Sequence, residues 1–207
     1  DPAKDILNIA VSQMGYSESI ANYEIAEDGE TIKGYTRYGE WFGDPYADWN
    51  GLFVSFCANY ANVGDIPRDG DVQDWITLQN LSEESLYRDA AYTPEAGNIV
   101  FFDTDSNGVA DRVAIVSYCY LSENTLGVIE GDSDGSVRNL QYTLTNENIV
   151  GYIQLADHTS SDTDSIELLL GDKTVYLAPG YDGYLRSPYS VGGTSAACYA
   201  MIMSGDY

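Results

Sequence analysis

The apolar periodicity of the chain switches once, from helical spacing to strand-like runs, and this switch restricts the fold more than any other feature. Asp1-Pro2 reads as an N-cap with proline in the first turn, and Ile6, Ile9, Ala10 and Gln13 recur at helical spacing until Gly15. Between Tyr16 and Tyr46 turn residues are frequent; Gly29, Gly34, Gly39 and Gly43 punctuate an aromatic-rich stretch that predicts ordered loop. The segment DWNGLFVSFCANYA (Asp48–Ala61) puts Leu52, Phe53, Phe56, Cys57 and Tyr60 on one face, predicting a central helix that starts near Asp48 to Asn50. Residues Asp71 to Ala91 predict two short helices around Trp75 and Leu86, the second capped by Ser82.

Beyond them the pattern is β-rich: Gly97–Asp103, Arg112–Leu121, Thr125–Asp132, Ser136–Leu144 and Ile149–Leu155, separated by short turns. Helices first and a meander of strands afterwards predict an α+β fold for residues 1–155. The polar stretch 156–165, which holds His158, predicts a linker. Residues 166–207 predict a small β-rich appendage, or the start of a further domain, with a hairpin turning at Gly171-Asp172. An appendage of about 40 residues has too little surface to bury for stability on its own, so it packs on the main domain or continues past Tyr207.

Charge narrows the function classes. The 33 acidic and 9 basic residues leave a net charge of −24. Phosphate backbones and anionic lipids repel such a chain, which argues against nucleic-acid binding and membrane attachment. Disorder is also excluded, because 44% hydrophobic residues and 18 tyrosines supply a core. No apolar run reaches the roughly 18 residues of a membrane span. Cys57, Cys119 and Cys198 are odd in number and widely spaced, which suits buried thiols better than disulfides or a zinc site.

Six strings, in order, resemble the CHAP domain, a papain-like cysteine amidase or peptidase fold of bacterial peptidoglycan-cleaving proteins. They are AVSQMGY (Ala10–Tyr16), YGEWFG (Tyr38–Gly43), the DWNGLFVSFCANYA helix, GNIVFFDTDSNGVADRVAIV (Gly97–Val116), VIEGD (Val128–Asp132) and IVGYIQ (Ile149–Gln154). The resemblance implies helices packed on an antiparallel sheet. It also implies a cysteine after the tryptophan that heads the central helix, and a histidine after the aspartate before the V-x-I-V strand. Here Asn50 follows Trp49 and Arg112 follows Asp111. An amide forms no thiolate, and a guanidinium keeps its proton at neutral pH, so nucleophile and base are both missing. Glu130 and Asp132 resemble the residues that would orient the histidine; Arg112 is expected to pair with one of them across the former active site. Cys57, seven residues beyond Asn50 on the same helix and about 10 Å away, is out of reach.

Two further features bear on ligands. In DTDSNGVAD, the residues Asp103, Asp105, Asn107, Val109 and Asp111 alternate as the first ligands of a helix-loop-helix calcium loop do, with Gly108 at the sharp turn. Ala114 stands where the closing glutamate would be, and the same residues also suit an ion-free Asx-rich turn. The rings of Tyr35, Tyr38, Trp41, Phe42, Tyr46 and Trp49 either line a groove, with Trp41 and Trp49 beside Asn50, or pack inward.

The sequence reading is therefore a non-catalytic binding module of a secreted or cell-surface bacterial protein, with Asn50, Arg112, Glu130, Asp132, Trp49 and Trp41 at a degenerate pocket and calcium as the implied cofactor. Its expected partner is a protein or glycan outside the cell. Anionic wall polymers would repel a chain this acidic, which turns the expectation toward host glycoproteins, mucin or immunoglobulins. The alternatives are a peptidoglycan amidase or endopeptidase with an altered site, and a structural spacer.

Overall fold

The computed structural model describes residues 1–64 and 66–155, and the backbone of 166–170 and 173–177. The chain divides into two units, Asp1–His158 and Thr159–Tyr207. The linker, His158, the Gly171-Asp172 turn, Cys198 and the rest of the appendage lie outside the described residues. Within the second unit, β9 (Ile166–Leu170) and β10 (Lys173–Leu177) pair antiparallel with Leu170 opposite Lys173.

The first unit is α+β. Helix α1 (Pro2–Ser12) is capped by Asp1, whose side chain accepts from the N–H groups of Ala3 and Lys4. The stretch expected to be loop holds structure of its own. It contains a hairpin of β1 (Tyr23–Ile25) and β2 (Ile32–Gly34), then a short helix α2 (Arg37–Phe42). Thr36 starts α2 by accepting from the Gly39 N–H, and Gly43 ends it in the left-handed conformation at φ 114°. Helix α3 (Asn50–Tyr60) is buried on nearly every side. Helix α4 (Val72–Leu81) starts on the Asp71 side chain.

The helix expected around Leu86 is instead strand β3 (Tyr87–Asp89), and Ser82 caps the C-terminal end of α4. The Leu86 backbone is claimed by its surroundings: its N–H donates to the Gln79 side chain and its carbonyl accepts from the Gln154 N–H. That docks the following residues on the sheet edge.

The remaining strands are β4 (Ile99–Phe102), β5 (Arg112–Tyr120), β6 (Thr125–Glu130), β7 (Arg138–Thr143) and β8 (Ile149–Ile153). They form a fully antiparallel sheet in the order β3-β8-β4-β5-β6-β7. Side chains alternate between its faces. Ile99, Phe101, Val113, Ile115 and Ile153 join the helix-side core with Leu52, Phe53 and Trp75. Val100, Phe102, Ala114, Val116, Val128 and Tyr152 form a second apolar cluster on the opposite face. Burial of both faces explains why these strands read as continuous apolar runs.

The sheet is strongly curled. Phe102 on β4 and Tyr142 on β7 are three strand spacings apart, about 14 Å in a flat sheet, yet their ring centroids lie 5.0 Å apart. Curling closes the second cluster over itself. It also brings Tyr142 toward the end of β6, where the candidate site lies.

Candidate functional site

The site forms where the head of α3 meets the start of β5 and the end of β6. Close approach depends on Gly131, where a Cβ would stand 2.4 Å from the Phe53 Cβ, so only glycine lets the helix reach the strand end. Asn50, the first residue of α3, thereby lies between two strands. Its Oδ1 accepts from the Val113 N–H at 2.8 Å, and its Nδ2 donates to the Gly131 carbonyl at 2.8 Å.

That geometry has a simple origin in the register. Ile115 pairs with Ile129 and Val116 with Val128, so Val113 and Gly131 are the next bonded positions of the same ladder. The strands have parted there. The Asn50 carboxamide, which carries the same donor and acceptor as a peptide group, fills the gap and continues the ladder.

Arg112 pairs with Glu130, as expected from their positions. Its Nη2 lies 3.2 Å from Glu130 Oε2, and Nε donates to the same oxygen at 3.3 Å. Nη2 also reaches the carbonyls of Asp132 at 2.9 Å and Gly131 at 3.4 Å. The Arg112 side chain is 31% exposed and that of Glu130 only 2%, so one ion is half in water while its partner is sealed. The other Glu130 oxygen accepts from the Tyr142 hydroxyl at 2.8 Å. Burial, then the Glu130 charge, pushes the Tyr142 hydroxyl well above its usual range, so it stays a donor.

Asp132 does not pair with Arg112 through its carboxylate. Its backbone is left-handed at φ 56°, and its carboxyl faces the head of α3, where the Trp49 N–H helps hold it ionised. This has local value, because Trp49 gives α3 no side-chain cap. Burial first, then the charges of Glu18 and Asp48, nevertheless raise the Asp132 pKa, with Arg112 opposing them.

Two expected ligand contacts must be corrected. Trp49 is core: its ring is 1% exposed, stacks on Tyr38 at 5.2 Å and donates from Nε1 to Glu18 at 3.2 Å. Asn50 is also buried, and its donor and acceptor are both occupied by backbone, so it is a clasp and not a ligand contact. Arg112 is bonded to Glu130, and Asn50 and Arg112 both donate to the Gly131 carbonyl. Trp41 is half-buried, edge-on to Phe56 and beneath the Arg68 guanidinium. Of the other rings, Tyr38 is core, whereas Tyr35 and Tyr46 are half-buried and Phe42 is exposed.

No histidine occurs among the described residues, and Cys57 is fully buried with its thiol pushed well above the ordinary value by burial.

The loop between β4 and β5 gathers three carboxylates. Asp103, Asp105 and Asp111 each offer an oxygen within 4.8 Å of the others, the spread expected for ligands about 2.4 Å from one cation. Asp103, buried, accepts from the N–H groups of Asn107 at 3.1 Å and Gly108 at 2.8 Å. Burial raises its pKa, but those amide bonds outweigh the effect and the net shift is downward. Asp111 accepts from the Thr104 N–H and hydroxyl. Asn107 Oδ1 is taken by the Val109 N–H, and Asn107 Nδ2 by Asp105, so Asn107 joins the loop's internal bonding. The carboxylate triad fits a hard cation, and Asn107 lies beside it, donating to both Asp103 and Asp105.

Three partners were not foreseen from the sequence: the Val113 and Gly131 backbones that hold Asn50, and Tyr142 on Glu130. Tyr142 was within reach of pattern reading, since Leu140 and Tyr142 alternate with exposed neighbours along β7.

No family model matches the chain, and no curated protein matches it. Among solved structures it is similar to Ly7917, with a TM-score of 0.44 and 14% identity over 73% of this chain and 61% of that one. It is similar also to Ly7917 with the hydrolyzing product of MDP, with a TM-score of 0.40 and 16% identity over 73% and 62%. The chain thus spans less than two thirds of the Ly7917 chain.

Proposed function

We propose that residues 1–155 are a catalytically inactive, CHAP-like domain that serves as a binding module of a secreted or cell-surface bacterial protein. One observation carries this reading. The position at the helix head, where a nucleophile would gain from nearby amide donors, is held by Asn50, with its amide oxygen and nitrogen both bonded to backbone. Arg112 supports it, since a guanidinium fixed on Glu130 cannot accept a proton. The ligand is a protein or glycan outside the cell, and the −24 charge favours host glycoproteins, mucin or immunoglobulins over anionic wall polymers. Calcium is the proposed occupant of the Asp103, Asp105 and Asp111 cluster.

The test incubates the purified chain with peptidoglycan and with peptide substrates, alongside Cys57→Ser. Expected is no release of amide-linked fragments by either protein. Hydrolysis by the parent chain would refute the inactive reading, and its loss in Cys57→Ser would identify the nucleophile. Capture of host secretory protein supports the binding module, capture of sacculi points to the wall, and capture of neither points to a spacer.

A further inference from the structure

The β1–β2 hairpin presents apolar side chains to solvent on one face. Ile25 is paired with Ile32 across the strands, and Tyr23 lies two residues before Ile25, so all three side chains share a face. They are 48% (Tyr23), 58% (Ile25) and 60% (Ile32) exposed. Scattered surface hydrophobics need no explanation, but three contiguous ones on a rigid element do.

The hairpin is well fixed. At its tip the Asp28 carboxylate accepts from the N–H groups of Glu30 at 2.9 Å and Thr31 at 2.8 Å and from the Thr31 hydroxyl at 2.5 Å, with Gly29 at φ 76°. At its base Tyr35 donates to the Asn22 carbonyl at 2.8 Å, and the Tyr46 hydroxyl donates to the Asn22 side chain at 2.8 Å. A preorganised surface loses little entropy on binding.

Charge decides the occupant. Glu27, Asp28 and Glu30 lie at the tip, next to the Ile25–Ile32 pair, whereas Glu24 sits opposite Lys33 on the other face, and Lys33, the hairpin's one basic residue, is drawn to Asp48 at 3.1 Å. A second copy of a chain at −24 and an anionic membrane are both repelled. We infer that the Tyr23–Ile25–Ile32 face of this hairpin docks a basic, apolar-studded protein segment, whose Lys or Arg side chains meet the tip carboxylates of Glu27, Asp28 and Glu30 while its apolar residues cover the one ring and two aliphatic chains. The surface lies outside the Asn50 site and is independent of any chemistry there.

The test measures fluorescence anisotropy of a labelled synthetic peptide alternating Lys with Val, titrated with the full chain at low and high salt. Its controls are a Glu-Val peptide of equal length, the hairpin variant Tyr23→Thr/Ile25→Thr/Ile32→Thr, and the remote variant Leu78→Thr/Leu81→Thr. Threonine keeps strand propensity, and an unchanged melting temperature confirms folding. Saturable binding is expected, weakened by salt and by about tenfold or more in the hairpin variant, with the remote variant within about twofold of the parent. Absence of saturable binding, equal affinity in the hairpin variant, or equal binding of the Glu-Val peptide would each overturn the inference. So would a dimer in sedimentation that the hairpin variant dissociates, since the occupant would then be a second copy.

Discussion

Replacing Asn50 by alanine is predicted to be a stability lesion out of proportion to the atoms removed. The Val113 N–H is buried and bonds to Asn50 Oδ1, so it would be left without that partner. The Gly131 carbonyl would keep only the 3.4 Å contact from Arg112. An orphaned buried polar group costs about 1–3 kcal/mol, so two groups, one partly satisfied, give roughly 2–5 kcal/mol. Against a usual total of about 5–15 kcal/mol, that is a large fraction. Urea unfolding followed by near-ultraviolet dichroism should show a lower midpoint with an unchanged slope, and the melting temperature should fall by about 5–15 °C. Asn59→Ala, exposed on the same helix, is the control and should stay within about 0.5 kcal/mol of the parent. An Asn50→Ala variant as stable as that control would refute the view that this amide joins the parted strands.

Three other outcomes are expected. Arg112→Met strands Glu130, 2% exposed, without its cation and should cost about 3–5 kcal/mol in urea unfolding, whereas Arg112→Met combined with Glu130→Gln should recover much of the loss. Asp132 has its pKa raised above 3.8 in the folded chain; the folded state therefore binds its proton more tightly, and the group contributes stability at low pH that is lost as pH rises through the folded value. Asp132→Asn, which tolerates the left-handed backbone, should thus raise stability at neutral pH and flatten its pH dependence just above 3.8; a variant less stable at neutral pH would contradict this. Millimolar calcium should raise the melting temperature, and Asp103→Asn should abolish the rise; no shift in the parent chain would leave the loop a plain turn.

Legibility of the fold followed the range of the interactions. Helix α3 and the strands β4 to β8 could be read because burial on both sides leaves an apolar signature in a short window. The β1–β2 hairpin and α2 could not, although Thr36 and Gly43 bracket α2 with a cap and a stop: the hairpin's apolar residues face water, so no buried period marks it. Strand β3 is held by the Gln79 side chain and by β8, contacts that local propensity cannot carry. At the site, the Arg112–Glu130 pair was foreseeable from two motif positions. The role of Asn50 was not, because it depends on where two strands part, which is a property of their register and not of any string.

The sheet order carries a consequence for synthesis. Strand β8, the last of the six to leave the ribosome, lies between β3 and β4. Until Ile149–Ile153 emerges, the facing edges of β3 and β4 have no neighbour and the sheet exists only as the β4–β7 meander. The long-range closure that β8 makes must therefore wait for nearly the whole unit to be translated. A chain truncated before Ile149 would present the hydrogen-bonding edge of β4 to any other strand, so the boundary of the smallest soluble fragment is set by β8 and not by the site residues that precede it.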